Sequence, residues 1–158
     1  MKYQRLSNAE LGNLKDDFIR FLASQGIDAD AWQKMKAEHL EGAEEIIAIY
    51  SDLVYDQALS KCNYLEHITA KEFKTIKFDD TQAHVIGLRV SAKADIDLTQ
   101  PNFQQVVEKG LQTGEIDVFE ASKTHEKIRE QEMFTWIQQG AYMANDAWYA
   151  QMKKLITA

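Results

Sequence analysis

The stretch FKTIKFDDTQAHVIGLRV, residues 73–90, decides the fold of this chain. On both sides of a short acidic segment, apolar residues alternate with polar ones, and this period of two is typical of half-buried β-strands. The connecting residues Asp79, Asp80, Thr81 and Gln82 have the composition of a hairpin turn, because Asp side chains hydrogen-bond to local backbone and favour turns. The sequence therefore predicts an antiparallel hairpin with one packed face.

The first 60 residues, in contrast, show helical spacing of apolar residues. A capping box formed by Ser7 and Glu10 opens the first helix, and Gly26 ends it. Asp28 or Asp30 then caps a second helix, and a third helix follows. This part of the chain is therefore predicted to be helical throughout.

The segment KCNYLEHIT, which begins at Lys61, reads as a further strand ahead of the hairpin. Three consecutive strands with short connections predict an antiparallel meander, whose apolar face needs a covering layer. We therefore expect an α+β fold, with an N-terminal helical layer packed on a mostly antiparallel sheet and two later helices.

The C-terminal half holds one ambiguous segment. Thr99 or Gln100 is expected to open a helix that ends at Gly114, and EIDVFEA reads as a short strand. Residues 133–144 show helical apolar spacing, but the Phe-Thr-Trp-Ile cluster and a central glycine favour a strand with a bulge. We predict the strand, followed by a final helix capped by Asn145. Nothing marks a domain boundary, so residues 1–158 are expected to form a single globular domain.

Composition and charge restrict the partners. The formal charge of the 158 residues is −7, with 45% hydrophobic and 27% charged residues, which is an ordinary globular mixture. No cluster of Lys and Arg offsets this charge, so neither nucleic acid nor an anionic membrane is an expected partner. The N-terminus lacks the apolar segment of a signal peptide, and a single cysteine suits a reducing compartment. We therefore expect a soluble cytoplasmic protein.

The motifs of common cofactor and metal sites are missing from the sequence. Cys62 is the only cysteine and cannot build a zinc site or an internal disulfide by itself. In THEKIRE, Arg129 stands where a zinc-protease helix needs its second histidine after His125. No glycine-rich phosphate loop and no calcium-loop pattern occurs. No cofactor and no metal is therefore expected.

The sharpest catalytic hypothesis concerns Glu66 and His84. If the strands that carry them are neighbours in a suitable register, the two side chains form a carboxylate–imidazole pair able to act as acid and base. The alternative is that His84 is a hydrogen-bonded histidine at the margin of the core. Cys62 is expected to pack as a small apolar side chain.

Aromatic residues are concentrated near the C-terminus, where five of them fall within sixteen residues. Aromatic side chains are enriched at protein interfaces, and they also build the cores of small α+β domains. If part of this cluster is exposed, it marks a homodimer face or a groove for a partner. The candidate interaction residues are Phe134, Trp136, Tyr142, Trp148 and Tyr149.

Three stretches, MKYQRL at the start, SDLVYDQALSKCNYLEH and IQQGA, carry a resemblance of the whole chain to a known family. The chain resembles a family of uncharacterised bacterial proteins of about this length, a domain of unknown function. The resemblance implies one self-contained domain and supplies no catalytic residues.

Two functional hypotheses follow. The first is a non-catalytic protein-interaction or regulatory module, with an unknown protein partner or a second copy of the chain bound at the aromatic-rich surface. The second is a small enzyme or ligand-binding protein with a carboxylate–histidine site at Glu66 and His84. Since every familiar catalytic motif is missing, the first hypothesis is preferred.

Overall fold

The computed structural model describes residues 1–157. The chain forms two compact units, Met1–Ala58 and the part that begins at Leu59. Helices make up the first unit, and the second holds a five-stranded antiparallel sheet with three further helices. The α+β class and the order of helices before strands are confirmed. The single-domain organisation stays a prediction.

Two of the four N-terminal helices begin at predicted caps. The Ser7 side chain accepts a hydrogen bond from the Glu10 amide at 3.1 Å, and the Glu10 carboxylate accepts one from the Ser7 amide at 3.2 Å. Asp28 likewise accepts from the amide of Ala31 at 2.7 Å. The predicted first helix is interrupted at Leu14, where the backbone leaves helical geometry (φ −105°, ψ 20°). The helices are α1 (Asn8–Asn13), α2 (Lys15–Ser24), α3 (Ala29–Glu38) and α4 (Leu40–Ser60).

An aromatic cluster forms the centre of the N-terminal unit. The ring of Phe18 lies edge-on to Trp32, with centroids 5.4 Å apart, and 4.8 Å from the ring of Tyr50. The Tyr50 hydroxyl donates to Asp17 at 2.7 Å. Burial and this hydrogen bond raise the pKa of Tyr50 well above its ordinary value. Apolar residues that surround this cluster include Leu6, Leu22, Ala43 and Ile47.

The hairpin predicted at residues 73–90 is present. The amide of Asp79 donates to the carbonyl of Gln82 at 2.9 Å, which closes the turn. The sheet order is β4-β3-β2-β1-β5, and every neighbouring pair is antiparallel. The strands are β1 (Tyr64–Ile68), β2 (Glu72–Phe78), β3 (Gln82–Val90), β4 (Ile116–Thr124) and β5 (Tyr142–Ala144).

The helices of the second unit cover both faces of the sheet. Helices α5 (Phe103–Thr113) and α7 (Ala147–Thr157) contribute to one apolar cluster with strand residues such as Phe73, Ile86 and Leu88. This side is called the α5/α7 face. Helix α6 (Arg129–Gln138) lies on the other side, the α6 face, where Trp136 contacts His67 and Lys74.

The strand predicted for residues 133–144 is wrong over most of its length. Residues up to Gln138 belong to α6, and only Tyr142–Ala144 form a strand. Met133 and Phe134 are buried side chains of this helix. Gly140, expected at a bulge, has φ 104° and reverses the chain after the helix. The C-terminal part therefore has three helices, where two were predicted.

Helix α5 approaches β4 closely at one point. A Cβ atom added to Gly110 would lie 2.5 Å from Cγ1 and 3.2 Å from Cβ of Ile116. Ile116 is buried at the start of β4, and Gly110 itself is buried. The absence of a side chain at Gly110 thus sets the distance between this helix and the sheet.

Candidate functional site

The predicted pair of Glu66 and His84 does not form. Both residues lie on the α5/α7 face, since Glu66 aligns with Thr75 and Thr75 with Ile86, two positions from His84. However, β2 lies between β1 and β3, which places Glu66 and His84 two strands, or about 10 Å, apart. The prediction is wrong because it required β1 and β3 to be neighbours. Each residue has a different partner.

Glu66 pairs with Tyr142 on the adjacent strand β5. The two side chains are hydrogen-bonded, and Glu66 is only 8% exposed. Burial raises the pKa of the Glu66 carboxyl, and the hydrogen bond from Tyr142 opposes part of this rise. Burial and the nearby Glu66 carboxylate also raise the pKa of the Tyr142 phenol. This edge of the sheet therefore carries a buried carboxyl whose ionisation is disfavoured.

The variant Glu66→Gln tests this ionisation. A carboxyl whose pKa is higher in the folded than in the unfolded state contributes stability below the unfolded pKa, and loses it as the pH rises through the folded pKa. The glutamine side chain of the variant cannot ionise, so the melting temperature of Glu66→Gln relative to wild type should increase between about pH 4 and pH 7. Thermal unfolding across this range measures the difference. The exposed Glu45→Gln is the matched control, and equal pH profiles for both variants would contradict the assignment.

His84 is held by two residues of β4. Its Nδ1 atom shares a hydrogen bond of 2.6 Å with Oγ of Ser122, which faces it in the register of β3 and β4. Its Nε2 atom lies 3.2 Å from Oε2 of Glu120, close enough for an ion pair but not aligned for a hydrogen bond. A carboxylate–histidine pair is therefore present, with Glu120 in the place expected for Glu66. If Nε2 carries the imidazole proton, Nδ1 is free to accept the hydroxyl proton of Ser122.

The sequence analysis did not identify Glu120 and Ser122 as candidate site residues. They stand two positions apart on β4, and this spacing places both on one face of a strand. The signal becomes informative only when β4 is known to pair with β3, and that pairing skips the whole of α5. The local sequence pattern of β4 does not reveal that it pairs with β3.

Tyr149 covers the inner side of His84. Its ring centroid lies 6.2 Å from that of His84 and 5.4 Å from that of Tyr64. Burial raises the pKa of the Tyr149 phenol. Next to this group, the half-buried Cys62 has its Sγ atom 3.1 Å from the carbonyl oxygen of Tyr64. His84 thus lies at the margin of the core, as one of its two interpretations predicted.

The five C-terminal aromatic residues do not form one surface. Phe134 is buried, and Trp148 packs against Phe73 and Phe103 within the core of the α5/α7 face. Trp136 lies on the α6 face, with the ammonium of Lys74 5.6 Å from its ring centroid. Tyr149 is half-buried on the α5/α7 face, and Tyr142, at 44%, is the most exposed of the five. The candidate interaction residues are thus divided between the core and both faces of the sheet.

An apolar groove in the N-terminal unit was also missed. It lies between α1, α2 and α3 and has a volume of about 500 Å³. Its floor consists of buried side chains, including Phe18, Leu22 and Trp32, and the 51% exposed Ile19 forms part of its wall. Further lining residues include Leu11, Ile27 and Ile47, with Lys15, Asp28 and Lys36 among the charged ones. Ile19 was the available signal, because it directly follows Phe18, and at 3.6 residues per turn two consecutive apolar residues do not both lie at the centre of one helix face.

Residues 1–157 contain neither a candidate metal site nor a membrane-spanning helix. They contain no group of three or more His, Cys, Asp or Glu side chains placed to hold a metal ion. None of their helices combines the length and the apolar character needed to cross a membrane.

The comparisons with known proteins give a family and no activity. No curated protein and no solved structure matches the chain. One family model, described as a family of unknown function (DUF6495), matches residues 1–157. The resemblance noted from MKYQRL, SDLVYDQALSKCNYLEH and IQQGA is consistent with such a family. The chain belongs to the family of unknown function DUF6495.

Proposed function

We propose that this protein is a non-catalytic interaction module, and that the groove of its N-terminal unit binds an amphipathic helix of a partner protein. The single observation that carries the proposal is the groove itself, about 500 Å³ with an apolar wall and an exposed Ile19. Exposed apolar surface of this kind marks binding sites on proteins.

The chemistry of the groove favours an acidic amphipathic helix. Grooves between helices bind such segments through apolar side chains at positions i, i+3, i+4 and i+7. Lys15 and Lys36 line the groove and are exposed, against one acidic residue, Asp28. In a chain of net charge −7, two lysines beside an apolar cleft form a local positive rim. Acidic residues that flank the apolar face of the partner helix would complement this rim.

The experiment compares three tagged proteins at endogenous level in their native cells. Ile19→Lys places a charge in the groove wall, and Ile49→Lys places the same charge on α4 at an exposed isoleucine that does not line the groove. The partner should co-purify with wild type and with Ile49→Lys, and should be lost with Ile19→Lys. The purified partner helix should then bind Ile19→Lys at least ten-fold more weakly, measured by the fluorescence of Trp32 after replacement of Trp136 and Trp148 by Phe.

Equal capture by Ile19→Lys would overturn the proposal. If native mass spectrometry found a small apolar acid bound in the groove, the groove would be a small-molecule site and not a site for a partner helix. Recovery of the bait alone would favour the enzyme hypothesis, which now rests on His84 with Glu120 and Ser122.

A further inference from the structure

The two edges of the sheet differ in length. One edge, β5, has three residues, and such short edge strands offer little to an incoming strand. The other edge, β4, has nine residues, which pair one to one and without a gap with the nine residues of β3. Its register therefore contains no bulge, and its sequence contains no proline. β4 thus lacks two devices by which proteins protect edge strands.

The outer edge of β4 presents hydrogen-bonding groups that point away from β3. The amide of His125 donates to the carbonyl of Thr81, and the carbonyl of Glu115 accepts from the amide of Ser91. The backbone amides and carbonyls of the odd-numbered residues are therefore directed towards the strand that carries residues 82–90. Backbone groups alternate in direction along a strand. The even-numbered residues therefore direct their amides and carbonyls outward, and no strand within residues 1–157 pairs with them. These outward-facing residues include Val118, Glu120, Ser122 and Thr124.

We propose that β4 pairs antiparallel with β4 of a second copy of this chain, across a two-fold axis at Ala121. The dimer joins two five-stranded sheets into one continuous sheet. In this register, Glu120 of each copy faces Ser122 of the other, and each such pair exchanges two backbone hydrogen bonds. A two-fold axis makes the same strand its own partner, which is the commonest form of assembly.

Side-chain chemistry favours this register over the one with its axis at Glu120. With the axis at Ala121, the Glu120 carboxylate faces the Ser122 hydroxyl, and no like charges lie directly opposite each other between residues 118 and 124. With the axis at Glu120, two carboxylates of the same type face each other, and like charges directly opposite are destabilising. Residues 120–124 are exposed, so a second strand reaches this end of β4 freely.

The dimer also joins the two histidine clusters. Ser122, which is hydrogen-bonded to His84 of its own copy, lies opposite Glu120 of the second copy. Because Glu120 also lies beside His84 of its own copy, a polar row runs across the joint on the α5/α7 face. The dimer thus places two carboxylate–imidazole–hydroxyl clusters side by side.

Ala121 allows a direct test, because its exposed side chain meets its own counterpart on the axis, where side chains are closest. Wild type should have a mass of twice the 18.1 kDa of the chain by light scattering during size-exclusion chromatography. Ala121→Glu alone and Ala121→Lys alone should be monomers, because each opposes like charges. An equimolar mixture of the two should recover the dimer mass, since unlike charges then meet. Ala121→Gln, which has the size of glutamate without its charge, should remain a dimer.

Circular dichroism confirms that each variant is folded before its mass is interpreted. A wild type that is monomeric at about 100 µM, where even a weak dimer of micromolar Kd would form, would overturn the proposal. A dimer of undiminished affinity in Ala121→Glu would place the interface elsewhere, and failure of the mixture to associate would exclude the axis at Ala121. None of these outcomes bears on the groove of the N-terminal unit, so the two proposals stand or fall separately.

Discussion

Replacement of Arg129 by Met is expected to lower the free energy of unfolding by about 3–5 kcal/mol. The Arg129 side chain is only 10% exposed and donates to three backbone carbonyls, those of Leu59 (3.2 Å), Cys62 (2.6 Å) and Phe78 (3.3 Å). It also donates to Oδ1 of Asn63 at 3.1 Å. Met retains an apolar stem but no donor, so the carbonyl groups lose their charged partner while they remain partly buried.

Urea denaturation measures this loss. The fluorescence of Trp136 and Trp148 reports on the unit that contains Arg129, once Trp32 is replaced by Phe in all proteins compared. Arg89→Met is the matched control, because Arg89 is exposed and its loss should cost less than about 1 kcal/mol. Arg129→Lys should recover little of the loss, since an ammonium cannot reproduce the fork of the guanidinium. A cost below about 1 kcal/mol for Arg129→Met, the range of an exposed ion pair, would contradict the assigned role.

Replacement of Gly110 by Val is expected to cost about 3 kcal/mol, although glycine is the poorer helix former. The added Cβ would lie 2.5 Å from Cγ1 of the buried Ile116, so α5 must move away from β4 or Ile116 must leave its position. Either movement opens the packing of the α5/α7 face.

A double-mutant cycle identifies this contact as the cause. Ile116→Ala removes the Cγ1 atom, so Gly110→Val should cost at least about 1 kcal/mol less in the Ile116→Ala background than in wild type. Gly42→Val, on α4, is the control, since a Cβ at Gly42 meets nothing within 4 Å. It should leave the stability nearly unchanged. Additive effects of Gly110→Val and Ile116→Ala would refute the steric explanation.

Features encoded over a few residues could be predicted from the sequence. The hairpin follows from the alternation around Asp79, and the capping box of Ser7 and Glu10 is present with both hydrogen bonds. Gly114 ends α5 in the left-handed conformation, with φ 79°. In each case the residues that determine the structure are neighbours in the chain, so no knowledge of the remaining fold was needed.

Features that depend on distant contacts could not be predicted. Residues 133–138 contain good strand formers, yet they form part of α6, in which Met133 and Phe134 are buried. Tertiary packing decides the structure of such a segment, and local β-propensity does not describe it. The hypothesis of a Glu66–His84 pair depended on β1 and β3 being neighbours, and strand order is a global property that neither local segment encodes. The partner of His84 comes from β4, a strand that lies beyond α5 in the sequence. The sequence analysis therefore identified His84 as a candidate site residue but did not identify Glu120, whose carboxylate lies beside it.

The strand order also implies a sequence of events during folding. The pairing of β1, β2 and β3 joins segments that follow one another directly, so the chain loses little loop-closure entropy when they meet. β5 must return from beyond α6 to reach β1, and it contributes only three residues when it arrives. We therefore infer that the pairing of β1, β2 and β3 forms early in folding. β5 then pairs with β1 late in folding and detaches first during unfolding. The burial of Glu66 under Tyr142 is then among the last steps of folding, and the carboxyl stays hydrated until the rest of the sheet is in place.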